Sequence, residues 1–135
     1  MELVLKNDFS EIPPAADAVG HFLAGQGACP EILYFARLVI EELASNTIKY
    51  GYDDQEAHEI YISACIRDGS LVLEVSDDGH PFDPLAAPEP ATHLPAHERQ
   101  IGGLGLHFIR SMTDSLDYER RDGRNVVTVR KTCSL

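Results

Sequence analysis

Three short stretches of this chain hold the residue types that could do chemistry. Glu42-Leu43-Ala44-Ser45-Asn46 sets a carboxylate and an amide four residues apart, Asp77-Asp78-Gly79-His80-Pro81-Phe82 follows an alternating apolar run, and Gly102-Gly103-Leu104-Gly105-Leu106 stands where a helix would begin. At i and i+4 on a helix, Glu42 and Asn46 project from one side, and Lys49 continues that line. A carboxylate beside an amide oxygen suits a hard cation such as Mg2+, which takes one or two protein ligands and leaves its other positions to water and phosphate. Asp77 shares strand parity with Leu71, Leu73 and Val75, so it faces the buried side where a carboxylate needs a hydrogen-bond donor. The exocyclic amine of adenine would be one, and Gly79 would let a flat ring approach the backbone. Gly102, Gly103, Leu104 and Gly105, followed by Leu106, offer backbone amides at a helix start, an anion site reinforced by the helix dipole. Arg99, the only cation between Arg67 and Arg110, is near enough in sequence to reach a phosphate. Taken together the three stretches point to a magnesium nucleotide, ATP.

Each stretch has a plainer reading when taken alone. Glu42 and Asn46 could belong to a solvated helix face, Asp77-Asp78-Gly79 could be a simple turn, and the glycines could form an ordinary helix entry. Arg99 could be an exposed cation with no role, and Asp78 is expected to face solvent. The glycine stretch is not a P-loop, which requires Gly-Lys-Ser/Thr, and it follows a proline-rich loop instead of the strand a Rossmann fingerprint needs. His93 and His97, with His80 and His107, have no spacing that enforces a closed zinc site. No Gly-x-Ser-x-Gly elbow is present to favour a serine nucleophile.

Composition narrows the classes further. A formal charge of −11 argues against direct nucleic-acid binding, because affinity for the phosphate backbone comes from clustered Lys and Arg. No apolar run approaches the roughly 18 residues of a membrane span, and the first residues lack a signal-peptide pattern, so a cytoplasmic protein without membrane contact is expected. Cys29, Cys65 and Cys133 are odd in number and widely spaced, and are expected to be reduced.

The elements that must position these residues can be read from periodicity and turn signals. Residues 2–7 read as a strand, Pro13-Pro14 opens a helix to about Gly25, and Pro30 opens a longer one through Tyr50 with Ile32, Ala36, Val39 and Leu43 as its core stripe. Residues 60–66 and 71–76 alternate around Asp68-Gly69 as an antiparallel hairpin. From 83 to 101 the prolines and alanines show no period, which predicts a long, mobile lid. Leu106, Ile109, Thr113 and Leu116 mark a third helix, followed by strands near 116–121 and 125–131 around Asp122-Gly123. One domain over 1–135 is expected, an α+β two-layer sandwich with the helices on one face of a mostly antiparallel sheet.

With these motifs in this order the chain resembles the GHKL (Bergerat-fold, histidine-kinase-type) ATPase superfamily, and most closely its small bacterial anti-sigma-factor serine/threonine kinases. The resemblance makes Glu42 a general base, Asn46 a magnesium ligand, Asp77 the adenine partner with Gly79 at the ring, and Gly102 to Leu106 the triphosphate loop. Two positions depart from the pattern: Pro81 replaces a second glycine, and Asn125 stands where the family often has a phosphate-side Thr. The implied activity is transfer of the γ-phosphoryl group of ATP, with Mg2+, to a Ser or Thr of an anti-anti-sigma (STAS-type) antagonist, coupled to sequestration of a sigma factor. The alternative is a nucleotide-dependent regulatory binding module with little or no kinase activity, and a homodimer is compatible with either. A sensor histidine kinase would need a helical hairpin carrying a phospho-accepting His, for which this length leaves no room.

Overall fold

The computed structural model describes residues 1–84 and 103–133, the first two residues of the second segment by backbone alone. Strand β1 (Glu2–Lys6) leads through a 3-10 turn (Phe9–Glu11) into helix α1 (Ile12–Gly25) and helix α2 (Pro30–Tyr50). The hairpin β2 (Glu59–Arg67) and β3 (Ser70–Asp77) follows, then helix α3 (Gly103–Met112) and the hairpin β4 (Ser115–Arg121) and β5 (Arg124–Thr132). Pro30 occupies the first turn of α2, where its missing N–H costs nothing and its fixed φ suits the helix. Both hairpins turn on Asp-Gly: Asp68 and Gly69 have φ of 53° and 79°, Asp122 and Gly123 of 53° and 76°, the left-handed pair that matches strand twist.

All pairings are antiparallel, in the order β1-β2-β3-β5-β4. Strand alternation sends Ile60, Ile62, Leu71, Leu73, Val75 and Val129 to one face, where Val19 and Leu23 of α1, Phe35, Val39 and Ile40 of α2, and Ile109 of α3 cover them. The whole expected stripe of α2, Ile32, Ala36, Val39 and Leu43, is buried. This is the expected α+β architecture, and burial of that shared apolar face is its main source of stability. On the other face the Arg124 guanidinium lies 4.4 Å from the Tyr61 ring centre, and its Nε donates to Ser76 Oγ at 3.0 Å.

Two expectations are corrected. The helical rhythm read through Thr113 and Leu116 spans two elements. α3 stops at Met112 because the Thr113 hydroxyl turns to the carbonyls of Ser115 and Arg130, and Leu116 sits on β4 opposite Val129. Cys29 and Cys133, expected to be reduced, form a disulfide, with Cα atoms 6.4 Å apart across a sequence separation of 104. The α2 entry and the end of β5 meet only in the folded chain, so no spacing rule exposes the pair. Cys65 is the free cysteine among the described residues. The expected lid at 83–101 lies outside the described residues, apart from Asp83 and Pro84. No described helix is long and apolar enough to cross a membrane.

Candidate functional site

A cleft opens where the last two turns of α2 pass the end of β3 and the start of β5. Its walls include Leu43, Asn46, Thr47 and Tyr50 from α2, Val75 and Asp77 from β3, Asn125 and Val127 from β5, and the segment from His80 to Pro84. It encloses about 110 Å3 and opens to solvent, and its walls set a few polar groups among mostly apolar ones, the composition usual for small-molecule sites.

Asp77 sits at the inner end, 8% exposed, as its strand parity requires. Its Oδ1 accepts from the Gly79 N–H at 2.8 Å and from Asn125 Nδ2 at 3.0 Å, while Oδ2 accepts from the Thr47 hydroxyl at 3.1 Å. A carboxylate oxygen has two lone pairs, so Oδ1 is filled and Oδ2 keeps one acceptor position. Gly79 is required by sterics: a Cβ there would lie 2.8 Å from the Gly51 carbonyl oxygen and 3.0 Å from Asp77 Oδ1. That close approach lets the His80 N–H donate to the Gly51 carbonyl at 2.8 Å, joining the turn after β3 to the end of α2. Arg120 on β4 donates to the Gly79 carbonyl at 2.7 Å and holds the same turn from the opposite side.

Glu42 and Asn46 lie one turn apart on α2, as their spacing predicts. The Glu42 carboxyl group rests against Gly105 on α3, where a Cβ would overlap it. Partial burial pushes the Glu42 carboxyl above the usual carboxylate range; Lys49 opposes this shift and Glu41 adds to it. Asn46 lines the cleft, and its Oδ1 is shielded from solvent with no hydrogen-bond partner among the described residues. A buried acceptor left in this state is costly unless a ligand or cation completes it.

The segment joining α2 to β2 carries a further cluster beside the cleft. The Tyr52 ring stacks on His58, centres 3.9 Å apart, and His58 meets Asp54 at 2.7 Å and Asp78 at 3.3 Å. The Asp54 hydrogen bond, and then that of Asp78, raise the His58 pKa, and the same bond lowers that of Asp54. Burial, with the Asp77 and Asp78 charges behind it, pushes the Tyr52 phenol upward.

The structure thus brings Asn46 and Asp77 to one cleft, Gly79 to its turn, and Glu42 to Gly105 near the start of α3. Gly103 and Leu104 belong to the first turn of α3, and the Leu106 side chain is 4% exposed in the core, so backbone is what it could offer a ligand. Arg99 and Gly102 lie outside the described residues. No motif or spacing in the sequence singles out Thr47, Tyr50 or Tyr118; Phe82 enters only as the end of the Asp77 stretch, and Asn125 only as a phosphate-side position. Asn125 faces Asp77 directly across the β3–β5 pairing. The neighbour it meets depends on that long-range pairing, which no local spacing shows.

Comparison with known proteins finds a match over residues 5–131 to the family model described as the histidine kinase-like ATPase domain. Among curated proteins, the serine/threonine-protein kinase BtrW of Bordetella bronchiseptica is 27% identical over 92 residues, 68% of this chain and 65% of that protein. The anti-sigma F factor of Oceanobacillus iheyensis is 22% identical over 74% of this chain and 68% of its own length. The serine-protein kinase RsbW of Listeria monocytogenes is 28% identical over 67% of this chain and 60% of its own. The match thus spans less than two thirds of the Bordetella and Listeria kinases. Among solved structures, the Acinetobacter baumannii histidine kinase AdeS superposes with a TM-score of 0.56 at 14% identity, over 98% of this chain and 68% of that one. The histidine kinase domain from the Erythrobacter litoralis EL346 blue-light activated kinase gives 0.54 at 16%, over 91% and 59%. At these identities the structural likeness concerns the fold.

Proposed function

Because this chain belongs to the histidine kinase-like ATPase domain family, we propose that it binds Mg-ATP in the cleft, transfers the γ-phosphoryl group to a Ser or Thr hydroxyl of an anti-anti-sigma (STAS-type) antagonist, and itself sequesters a sigma factor. The observation that carries the reading is the pairing of two unsatisfied acceptors at one cleft: the remaining lone pair of Asp77 Oδ2 and the shielded Oδ1 of Asn46. An adenine amine completes the first and a cation the second. Relatives named anti-sigma F factor and serine-protein kinase RsbW support the regulatory setting.

In this reading Asp77 and the Gly79 turn orient the base and the backbone amides at the start of α3 hold the phosphates; the phosphate roles proposed for Arg99 and Gly102 and the lid proposed at 83–101 fall outside the described residues, apart from Asp83 and Pro84. Asn46 Oδ1 fits a hard cation, and Mg2+ when bound supplies charge neutralisation for the phosphate oxygens. Glu42 orients the acceptor hydroxyl and takes its proton as the new O–P bond forms and the bond from the γ-phosphorus to the β–γ bridging oxygen breaks, with ADP leaving. A carboxylate whose pKa is raised by burial is better matched to that proton transfer near neutral pH.

The test has two stages. Mg-ATP at 100 times its dissociation constant should stabilise the protein by about 2.7 kcal/mol, and no shift in melting temperature with ATP or ADP, with or without magnesium, would end the nucleotide reading. With an antagonist protein recovered by pull-down with and without ATP, the wild type should phosphorylate it and Glu42→Ala should bind ATP without doing so. Binding without transfer by the wild type leaves the regulatory module as the correct description.

A further inference from the structure

We infer that Asn125 is a positioning residue that sets the base selectivity of the cleft by holding the Asp77 carboxylate in its acceptor geometry; the inference rests on the nucleotide reading above. Asn125 is 5% exposed on β5, directly opposite Asp77 on β3. Its amide makes four hydrogen bonds and has no capacity for a fifth. Nδ2 donates to Asp77 Oδ1 at 3.0 Å and to the His80 carbonyl at 2.7 Å. Oδ1 accepts from the Phe82 N–H at 3.2 Å and from the Tyr118 hydroxyl at 2.6 Å.

The orientation of the amide is forced by these partners. Nδ2 faces a carboxylate oxygen and a carbonyl oxygen, both acceptors, and Oδ1 faces a backbone N–H and a phenol that can donate. A flipped amide would set oxygen against oxygen at the first two contacts and leave the Phe82 N–H facing an NH2 group. With all four positions used inside the protein, Asn125 lines the cleft without a hydrogen bond to offer a ligand. Its effect on a ligand therefore passes through its neighbours.

Two consequences follow for what the cleft accepts. Asn125 and the Gly79 N–H together occupy both lone pairs of Asp77 Oδ1, so the acceptor left to a ligand is confined to Oδ2, beside Thr47. The same amide ties His80 and Phe82, which form a wall of the cleft, to β5 and through Tyr118 to β4. A threonine at this position has one hydroxyl and could satisfy at most part of the set. An aspartate would set a second carboxylate against Asp77.

The experiment compares the affinities of ATP and of purine riboside triphosphate, which lacks the 6-amino group, for the full chain and for Asn125→Ala. Wild type should prefer ATP by about tenfold to hundredfold, the range expected when a buried acceptor loses its only ligand donor. In Asn125→Ala that preference should collapse to less than about threefold, chiefly by weakened ATP binding, since a wandering carboxylate no longer distinguishes the two bases. Equal weakening of both nucleotides, with the preference intact, would mean that Asn125 merely braces the fold and would overturn the inference. Tyr118→Phe removes one of the four bonds and keeps the ring; it should reduce the preference in the same direction and decides the matter if Asn125→Ala does not fold. Wild-type protein that binds neither nucleotide, or that binds both alike, overturns the nucleotide reading of Asp77 and this inference with it.

Discussion

Gly105→Ala isolates the contact between α2 and α3 that holds Glu42. Gly105 is the third residue of α3, and in an unobstructed helix Gly→Ala stabilises by about 0.5–1 kcal/mol. Here the three atoms nearest the added methyl are the Glu42 carboxyl carbon and its two oxygens, all of which it would overlap. They form the far end of a flexible side chain, so Glu42 moves aside at a rotamer cost of about 0.5–1.5 kcal/mol. In the wild-type background the two terms nearly cancel. In a Glu42→Ala background the obstruction is gone and the helix gain should appear in full. The double-mutant cycle should therefore show a coupling of about 0.5–1.5 kcal/mol, read from urea unfolding or as a difference of several degrees, about 2–8 °C, in the melting-temperature effect of the same substitution. If Gly105→Ala shifts stability equally in both backgrounds, the carboxyl group does not rest on Gly105 and the reasoning fails. In the Glu42 background the displaced carboxyl should also lower the proposed phosphoryl transfer by about a hundredfold, the order expected for a misplacement near 1 Å.

Three other outcomes can be checked directly. His58 has a folded-state pKa above its ordinary value of about 6.5, so its contribution to stability is fully present below that pH and is lost as pH rises through the folded pKa. The depressed Asp54 pKa acts in the opposite sense, its contribution being present above about 3.9 and lost on acidification through the folded value; because the His58 bond is the main cause of both shifts, His58→Gln should flatten the alkaline limb in melts across pH and make the acid limb shallower, the Glu56 N–H bond to Asp54 keeping part of its slope. Denatured, unreduced protein should titrate a single thiol, Cys65, and three after reduction; closing a loop of 104 residues should stabilise by about 4–5 kcal/mol on the chain-entropy account, so Cys29→Ser should melt well below wild type. Lys131, 6% exposed, donates to the Met112 carbonyl at 2.8 Å, pairs with Glu31 at 3.0 Å and lies 5.6 Å from the Phe35 ring centre; Lys131→Ala should cost about 2 kcal/mol in urea unfolding, and an effect within about 0.5 kcal/mol would show that the pair is not desolvated.

What the sequence determined alone are the features set by local periodicity and turn chemistry. The i,i+4 spacing placed Glu42 and Asn46 on one line of α2, strand parity turned Asp77 inward, and Asp-Gly at 68–69 and 122–123 fixed both hairpins, because each of these depends on residues a few positions apart. The rhythm failed at Thr113 for the same local reason, since nothing in a 3.6-residue period shows that a hydroxyl will turn back on the backbone. What only tertiary structure decided rests on β3 pairing with β5, a contact between chain segments separated by the third helix. That pairing sets Asn125 against Asp77, carries Tyr118 and Arg120 to the turn after β3, and leaves Oδ2 of Asp77 as its one open acceptor. The packing of α3 on α2 sets Glu42 on Gly105, and the approach of the β5 end to the α2 entry joins Cys29 to Cys133. Long-range closure of this kind is driven by burial of the shared apolar face, which is non-directional and so leaves no spacing signature at the polar residues it brings together.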